Sequence, residues 1–122
     1  MNVQELAKLG IDSPFIKAWE DKGISELTEI QAVALSDDSL QQGRNVVIVA
    51  PTSSGKTFIG EVFAVRSAST LHRAIYLVPF KAIAEEKYKE FSETYSSLGL
   101  PIVVSSGDHA EFDADIRRGE FG

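Results

Sequence analysis

The sequence predicts an α/β fold with a parallel sheet, preceded by short N-terminal helices, and three observations point there. The run Asn45 to Ala50 is β-rich without polar alternation, as in a strand buried on both faces of a parallel sheet. Two further apolar runs, Ala74-Ile75-Tyr76-Leu77-Val78 and Leu100-Pro101-Ile102-Val103-Val104, read as strands. Helical patterns from about Lys56 to Ala68 and from about Lys81 to Tyr95 lie between them. Strands that alternate with helices in this way build a parallel sheet. The character of the chain changes after Gln41-Gln42-Gly43. We therefore divide it into a helical segment, 1–40, and an α/β segment, 41–122.

Each element has a local reason. Val3, Leu6 and Leu9 share a helical face, and Gly10 suits the C-terminal stop. Ser13-Pro14 reads as an N-cap followed by proline at the first helical position. Phe15, Ile16 and Trp19 then face one side, and Gly23 ends that segment. Thr28 starts a third helix through Ile30, Ala32, Val33 and Leu35. The helix from Lys56 carries Phe58, Ile59, Val62, Phe63 and Val65. Pro79 stops the second strand, and on the helix after it Glu85 and Lys89 stand four apart and can pair weakly. The tail from Asp108 to Gly122 is polar, with at most one weak helical turn.

Composition bounds the function. A chain of 122 residues fits one domain, and 43% apolar with 25% charged residues is ordinary for a soluble globular protein. There is no cysteine, so neither disulfides nor a cysteine metal site can occur. His72 and His109 stand too far apart to indicate a site by spacing. No apolar run reaches transmembrane length, and Met1-Asn2-Val3-Gln4-Glu5 lacks the basic and apolar regions of a signal peptide. A cytoplasmic location is the expectation. A net charge of −6 argues against a surface that grips nucleic acid all round, while leaving room for a local basic strip.

The segment Ala50-Pro51-Thr52-Ser53-Ser54-Gly55-Lys56-Thr57 carries the chemistry. A strand, a small-residue loop ending in Gly-Lys-Thr and a helix are the parts of a phosphate-binding P-loop. Loop N–H groups and the helix N-terminus face phosphate oxygens. In that motif Lys56 reaches the β/γ-phosphates and the Thr57 hydroxyl ligates Mg²⁺. Pro51, Thr52, Ser53, Ser54 and Gly55 are the remaining candidates for nucleotide contact. The alternative is a polar surface turn, and the strand-then-helix context weighs against it.

Two further segments sharpen the class. Leu27-Thr28-Glu29-Ile30-Gln31-Ala32 lies upstream, and Val78-Pro79-Phe80-Lys81-Ala82-Ile83-Ala84-Glu85-Glu86-Lys87-Tyr88 lies downstream. With Ala-x-x-x-x-Gly-Lys-Thr they resemble the Q motif, motif I and motif Ia of superfamily 2 helicases of the DEAD/DEAH-box type. The motif Ia form looks most like that of the large repair and exosome-associated branch. The resemblance covers roughly Ser13 to Asp108. It implies a RecA-like P-loop fold, a three-layer sandwich, that binds ATP with Mg²⁺ between two such domains and acts on nucleic acid, DNA or RNA.

The resemblance assigns Gln31 to adenine. A carboxamide can accept from adenine N6 and donate to N7, a pairing that guanine cannot match. Thr28-x-x-Gln31 is equally a capping box, with Gln31 returning to the Thr28 N–H. The family often stacks an aromatic residue on the base, with Phe15 the candidate here and Trp19 the alternative. Trp19 is the better candidate for a core contact. In motif Ia, Pro79 and Lys81 are candidates to hold a nucleic-acid phosphate near a helix start. The alternative is a solvated helix start, and Lys87 and Lys89 read as a solvated face. Ser105-Ser106-Gly107-Asp108 resembles a Thr-Gly-Asp element of these helicases, and a bare turn explains Gly107 equally well.

No Asp-Glu pair follows Thr57, so the acidic motif II of the family does not occur. That motif positions Mg²⁺ and the attacking water, on which phosphoryl transfer depends. The expectation is a chain that ends before motif II and is the first part of a longer helicase. By itself it holds nucleotide without turning it over, through Lys56 and Thr57, which are the catalytic candidates of the parent. A second RecA-like domain would follow in that parent. An incomplete sheet would also expose strand edges, so the chain could associate with copies of itself. Two alternatives are a translocase that remodels DNA without strand separation and a non-catalytic P-loop module.

Overall fold

The computed structural model describes residues 1–37, 42, 47–49, 51, 55–70 and 72–105. Two units divide the chain, Met1–Phe63 and Ala64–Gly122. In the first, a 3-10 helix, Val3–Leu9, precedes α1, Ser13–Asp21, and α2, Glu29–Leu35. Helix α3, Lys56–Ser69, contains the boundary between the units. The second unit continues with α4, Lys81–Tyr95, and a 3-10 turn, Ser96–Leu98.

Local capping explains the first unit. Asn2 closes a capping box on the 3-10 helix, its side chain accepting from Gln4 N at 2.8 Å while Glu5 Oε2 accepts from Asn2 N at 2.7 Å. Gly10 ends that helix in the left-handed region at φ 84°, where glycine carries no steric cost. Helix α1 starts one residue earlier than its sequence signal, with Asp12 at the N-cap and Pro14 inside the first turn. Ser13 is therefore the first helical residue, a position that Pro14 at its C-terminal side tolerates because it has no intrahelical donor to lose.

Non-local bonds tie the N-terminus to the segment before α2. Val3 N donates to Ser25 O and Leu27 N donates to Met1 O, each at 2.9 Å. They flank an isolated antiparallel bridge between Asn2 and Glu26. Helix α1 packs on the 3-10 helix, and Val3, Leu6, Trp19 and Leu35 are fully buried. Trp19 meets Phe58 edge to face, with ring centroids 5.2 Å apart and planes at 86°. That pair joins α1 to the first turn of α3.

In the second unit α4 is built largely of Ala, Glu and Lys, all good helix formers. It starts after Phe80, whose carbonyl accepts from Ile83 N and Ala84 N at 3.1 Å. Its ring Phe91 meets Tyr76 at 5.4 Å and Tyr95 at 5.9 Å. Tyr95 is buried, as are Val65, Leu100 and Val104. Residues 74–78 alternate in exposure: Ala74, Tyr76 and Val78 are half-buried, while Ile75 and Leu77 are 75% and 87% exposed. That period of two is what an extended segment with one covered face shows, although no strand pairing is formed there among the described residues.

The structure corrects the reading of the first apolar run. Both faces of 45–50 were expected in a core, yet Val47 and Val49 are 89% and 88% exposed, with Ile48 half-buried. A continuous apolar run states that both faces tolerate burial; whether elements lie on both is a tertiary matter. Among the described residues the one β pairing is the Asn2–Glu26 bridge, so the three-layer sandwich is not seen there.

Candidate nucleotide-binding site

Gln31 is the best-determined member of the site. It lies in the first turn of α2 and is buried. Its Oε1 accepts from Thr28 N at 2.9 Å, and Thr28 Oγ1 accepts from Gln31 N at 3.3 Å. Both halves of the capping box are therefore formed. Its Nε2 donates to the carbonyl of Gly55 at 3.1 Å. One carboxamide thus closes a helix start and reaches the P-loop, 24 residues away in sequence. Spacing in the sequence carries no signal for that second bond.

Gly55 has φ +92°, in the left-handed region. A side chain there would be strained by the backbone alone. It would also have no room: a Cβ would collide with Gln31 Nε2 and lie 3.0 Å from Gln31 Cδ and 3.3 Å from Thr28 Oγ1. The backbone angle favours glycine here, and a side chain would also have to displace the Gln31 carboxamide.

Lys56 and Thr57 are exposed at the start of α3. An ammonium, a hydroxyl and a helix N-terminus form a donor set suited to phosphate and to a hard divalent cation. Pro51 is exposed, while Thr52, Ser53 and Ser54 lie outside the described residues. Phe15 is only 4% exposed. Its ring belongs to the core of the first unit, and a base could stack on it only after that core opened. Trp19 has the core role expected of it. No group of His, Asp or Glu able to hold a metal is found among the described residues.

In the second unit Pro79 and Lys81 are both exposed, on either side of the extended Phe80 that precedes α4. Lys87 departs from the solvated face assigned to it. Its side chain is half-buried, pairs with Glu90 at 3.3 Å and lies 5.7 Å above the Phe91 ring. The aliphatic stem covers the ring while the ammonium stays near its carboxylate partner. Lys89 is exposed as expected. His72 is exposed, with Nδ1 3.1 Å from Thr70 O. Residues 106–108 of the Ser-Ser-Gly-Asp element, and His109, lie outside the described residues.

Comparison with known proteins then decides the class. A family model described as DEAD/DEAH box helicase matches residues 28–118. The match begins at the Thr28 cap and runs through the Gln31–Gly55 contact and α4. The chain belongs to the DEAD/DEAH box helicase family. Membership brings a RecA-like P-loop fold with it. Among its relatives is an ATP-dependent DNA helicase Hel308 of Thermococcus kodakarensis, 42% identical over 114 residues, covering 93% of this chain and 10% of the relative. The Hel308 of Pyrococcus horikoshii is 43% identical over 114 residues, covering 93% of this chain and 15% of the relative. That of Aeropyrum pernix is 47% identical over 90 residues, covering 73% and 12% respectively. The chain therefore spans a small part of the length of these helicases. Among the described residues no helix is long and apolar enough to cross a membrane.

Proposed function

We propose that this chain is the ATP-binding portion of an ATP-dependent nucleic-acid helicase or translocase of superfamily 2. The observation that carries the reading is the Gly55-Lys56-Thr57 start of α3 with Gln31 hydrogen-bonded beside it. Lys56 binds the β/γ-phosphates, Thr57 takes part in holding Mg²⁺, and the loop from Pro51 to Gly55 encloses the phosphates. Bound Mg·ATP supplies the phosphoanhydride whose cleavage drives the motor. Gln31 reads adenine through the donor and acceptor capacity left on its carboxamide, since its hydrogen bonds to Thr28 N and Gly55 O use one of each.

The nucleic acid is DNA, a choice supported by the activity named for the Hel308 relatives. Pro79 and Lys81 contact its backbone at the start of α4. The chain by itself lacks an Asp-Glu pair after Thr57 and does not turn ATP over; hydrolysis belongs to a longer parent with a second RecA-like domain. Calorimetric titration with Mg·ATP and Mg·GTP tests the proposal. We expect ATP binding in preference to GTP, abolished in Lys56→Ala, with no ATPase activity. Equal affinity for both nucleotides would reduce Gln31 to a helix cap. Turnover that is lost in Lys56→Ala would overturn the claim that hydrolysis needs further sequence.

A further inference from the structure

Phe80 is the one exposed aromatic side chain among the described residues, with 67% of its surface in solvent. The nearby rings of the second unit contact each other, Tyr76 with Phe91 and Phe91 with Tyr95, and among the described residues the Phe80 ring meets no other. Phe80 also lies beyond Pro79, past the end of the alternating segment 74–78 that carries Ile75 and Leu77. Its backbone is held in place. Phe80 is extended at φ −129° and ψ 143°, and its carbonyl accepts from Ile83 N and Ala84 N at 3.1 Å. The ring takes no part in that cap, and Pro79 fixes φ of the residue before it. An apolar ring thus stands in water on a stiffened backbone, which lowers the ordering cost of a contact made through it.

Lys81 beside it is exposed, and the first turn of α4 carries no acidic residue. The site is therefore locally cationic in a chain of net charge −6. An aromatic face next to an ammonium matches a nucleobase next to its phosphate. In a duplex both faces of a base are covered by its neighbours, and uncovering one costs unstacking. A ring on the protein surface therefore stacks on a base of a single strand. We propose that Phe80 is a stacking residue for single-stranded DNA, its ring against a base while Lys81 meets the adjoining phosphate. The contact reads no base edge, so it carries no sequence preference. The proposal rests on the DNA-binding reading above and adds to it a base contact and a single-strand requirement.

The test separates base from backbone. The full chain is titrated by fluorescence anisotropy, at low salt, with labelled oligodeoxythymidylate and with a strand of equal length whose sugars carry no bases. Low salt keeps the phosphate contacts strong enough to read. Phe80→Leu keeps apolar bulk without a π face, and Phe80→Trp keeps a π face. Lys81→Ala removes the cation. Leu77→Ser changes the neighbouring apolar face, and so controls for a general greasy contact. All four side chains are exposed, so the substitutions leave the fold intact, which circular dichroism checks.

The unmodified chain is expected to prefer the thymidylate strand over the abasic one by about five- to a hundredfold, the span of one stacked base. Phe80→Leu should lose most of that preference with abasic affinity unchanged, and Phe80→Trp should keep it. Lys81→Ala should weaken both strands by the same factor, and Leu77→Ser should alter neither. Equal affinity of the unmodified chain for the two strands overturns the proposal and leaves the DNA-binding reading standing. A preference that survives Phe80→Leu does the same. A loss in Leu77→Ser as large as in Phe80→Leu overturns it in favour of a general apolar patch. If neither strand binds, the DNA-binding reading fails, and the stacking role falls with it.

Discussion

The helical region 1–35 and the apolar segment 74–78 are both rich in large hydrophobic residues, yet they end in opposite environments. Val3, Leu6, Trp19 and Leu35 are fully buried, while Ile75 and Leu77 stand in solvent. The difference lies in what each kind of element needs. A helix satisfies its interior backbone groups internally and asks neighbours only for an apolar stripe. Short helices separated by turns supply that stripe to one another, as α1 and the 3-10 helix do. A strand needs a neighbour for its backbone groups and, in a parallel sheet, a layer on each face. Segment 74–78 has a layer on one face, through Tyr76 and Phe91 of α4, and among the described residues nothing covers Ile75 and Leu77 on the other.

This comparison breaks most easily at Trp19. Trp19→Ala should destabilise the chain by about 3–5 kcal/mol, the range for deleting a large buried aromatic side chain. Urea unfolding monitored by circular dichroism measures it. A loss under about 1 kcal/mol would mean that the region around Trp19 is no better packed than the bare segment.

A smaller effect belongs to the cap. Thr28→Ala should cost about 0.5–2 kcal/mol, because one half of a complete capping box disappears. The same unfolding experiment reads it, and no change would show that the non-local bonds from Met1 and Val3 hold the start of α2 unaided.

On the covered face of 74–78, a double-mutant cycle between Tyr76→Leu and Phe91→Leu should return a coupling of about 0.5–1.5 kcal/mol, as edge-to-face aromatic pairs do. A coupling near zero would remove the evidence for a packed face and make the segment bare on both sides.

The smallest effect is expected on the bare face. Leu77→Ser should change stability by no more than about 0.5 kcal/mol, since Leu77 is 87% exposed. Sedimentation of both forms sharpens the point. Self-association that Leu77→Ser abolishes would show a second copy covering this face, and a concentration-independent monomer mass in both would exclude it.

Much of this architecture is legible in the residues alone, because its causes are short-range. Gly10 after an apolar periodic segment, Thr28-x-x-Gln31 before another and Gly55-Lys56-Thr57 before a third each state a helix end or start. Helix α4 begins where Pro79 ends the apolar run, and its backbone bonds, like those of any helix, are local. The same locality made the P-loop and the family resemblance readable. Where local signals left two readings open, as for Gln31 between cap and base, the residues could not choose.

Packing decided the rest. That Phe15 is buried, that Lys87 lies over Phe91 and that Val47 and Val49 face solvent depend on which elements lie alongside, which no short window of sequence contains. The Gln31–Gly55 bond is the sharpest instance. Its two residues are chosen by local rules, a helix cap and a left-handed turn. Their contact exists only because α2 and the start of α3 are brought together in space, where a buried donor must find an acceptor.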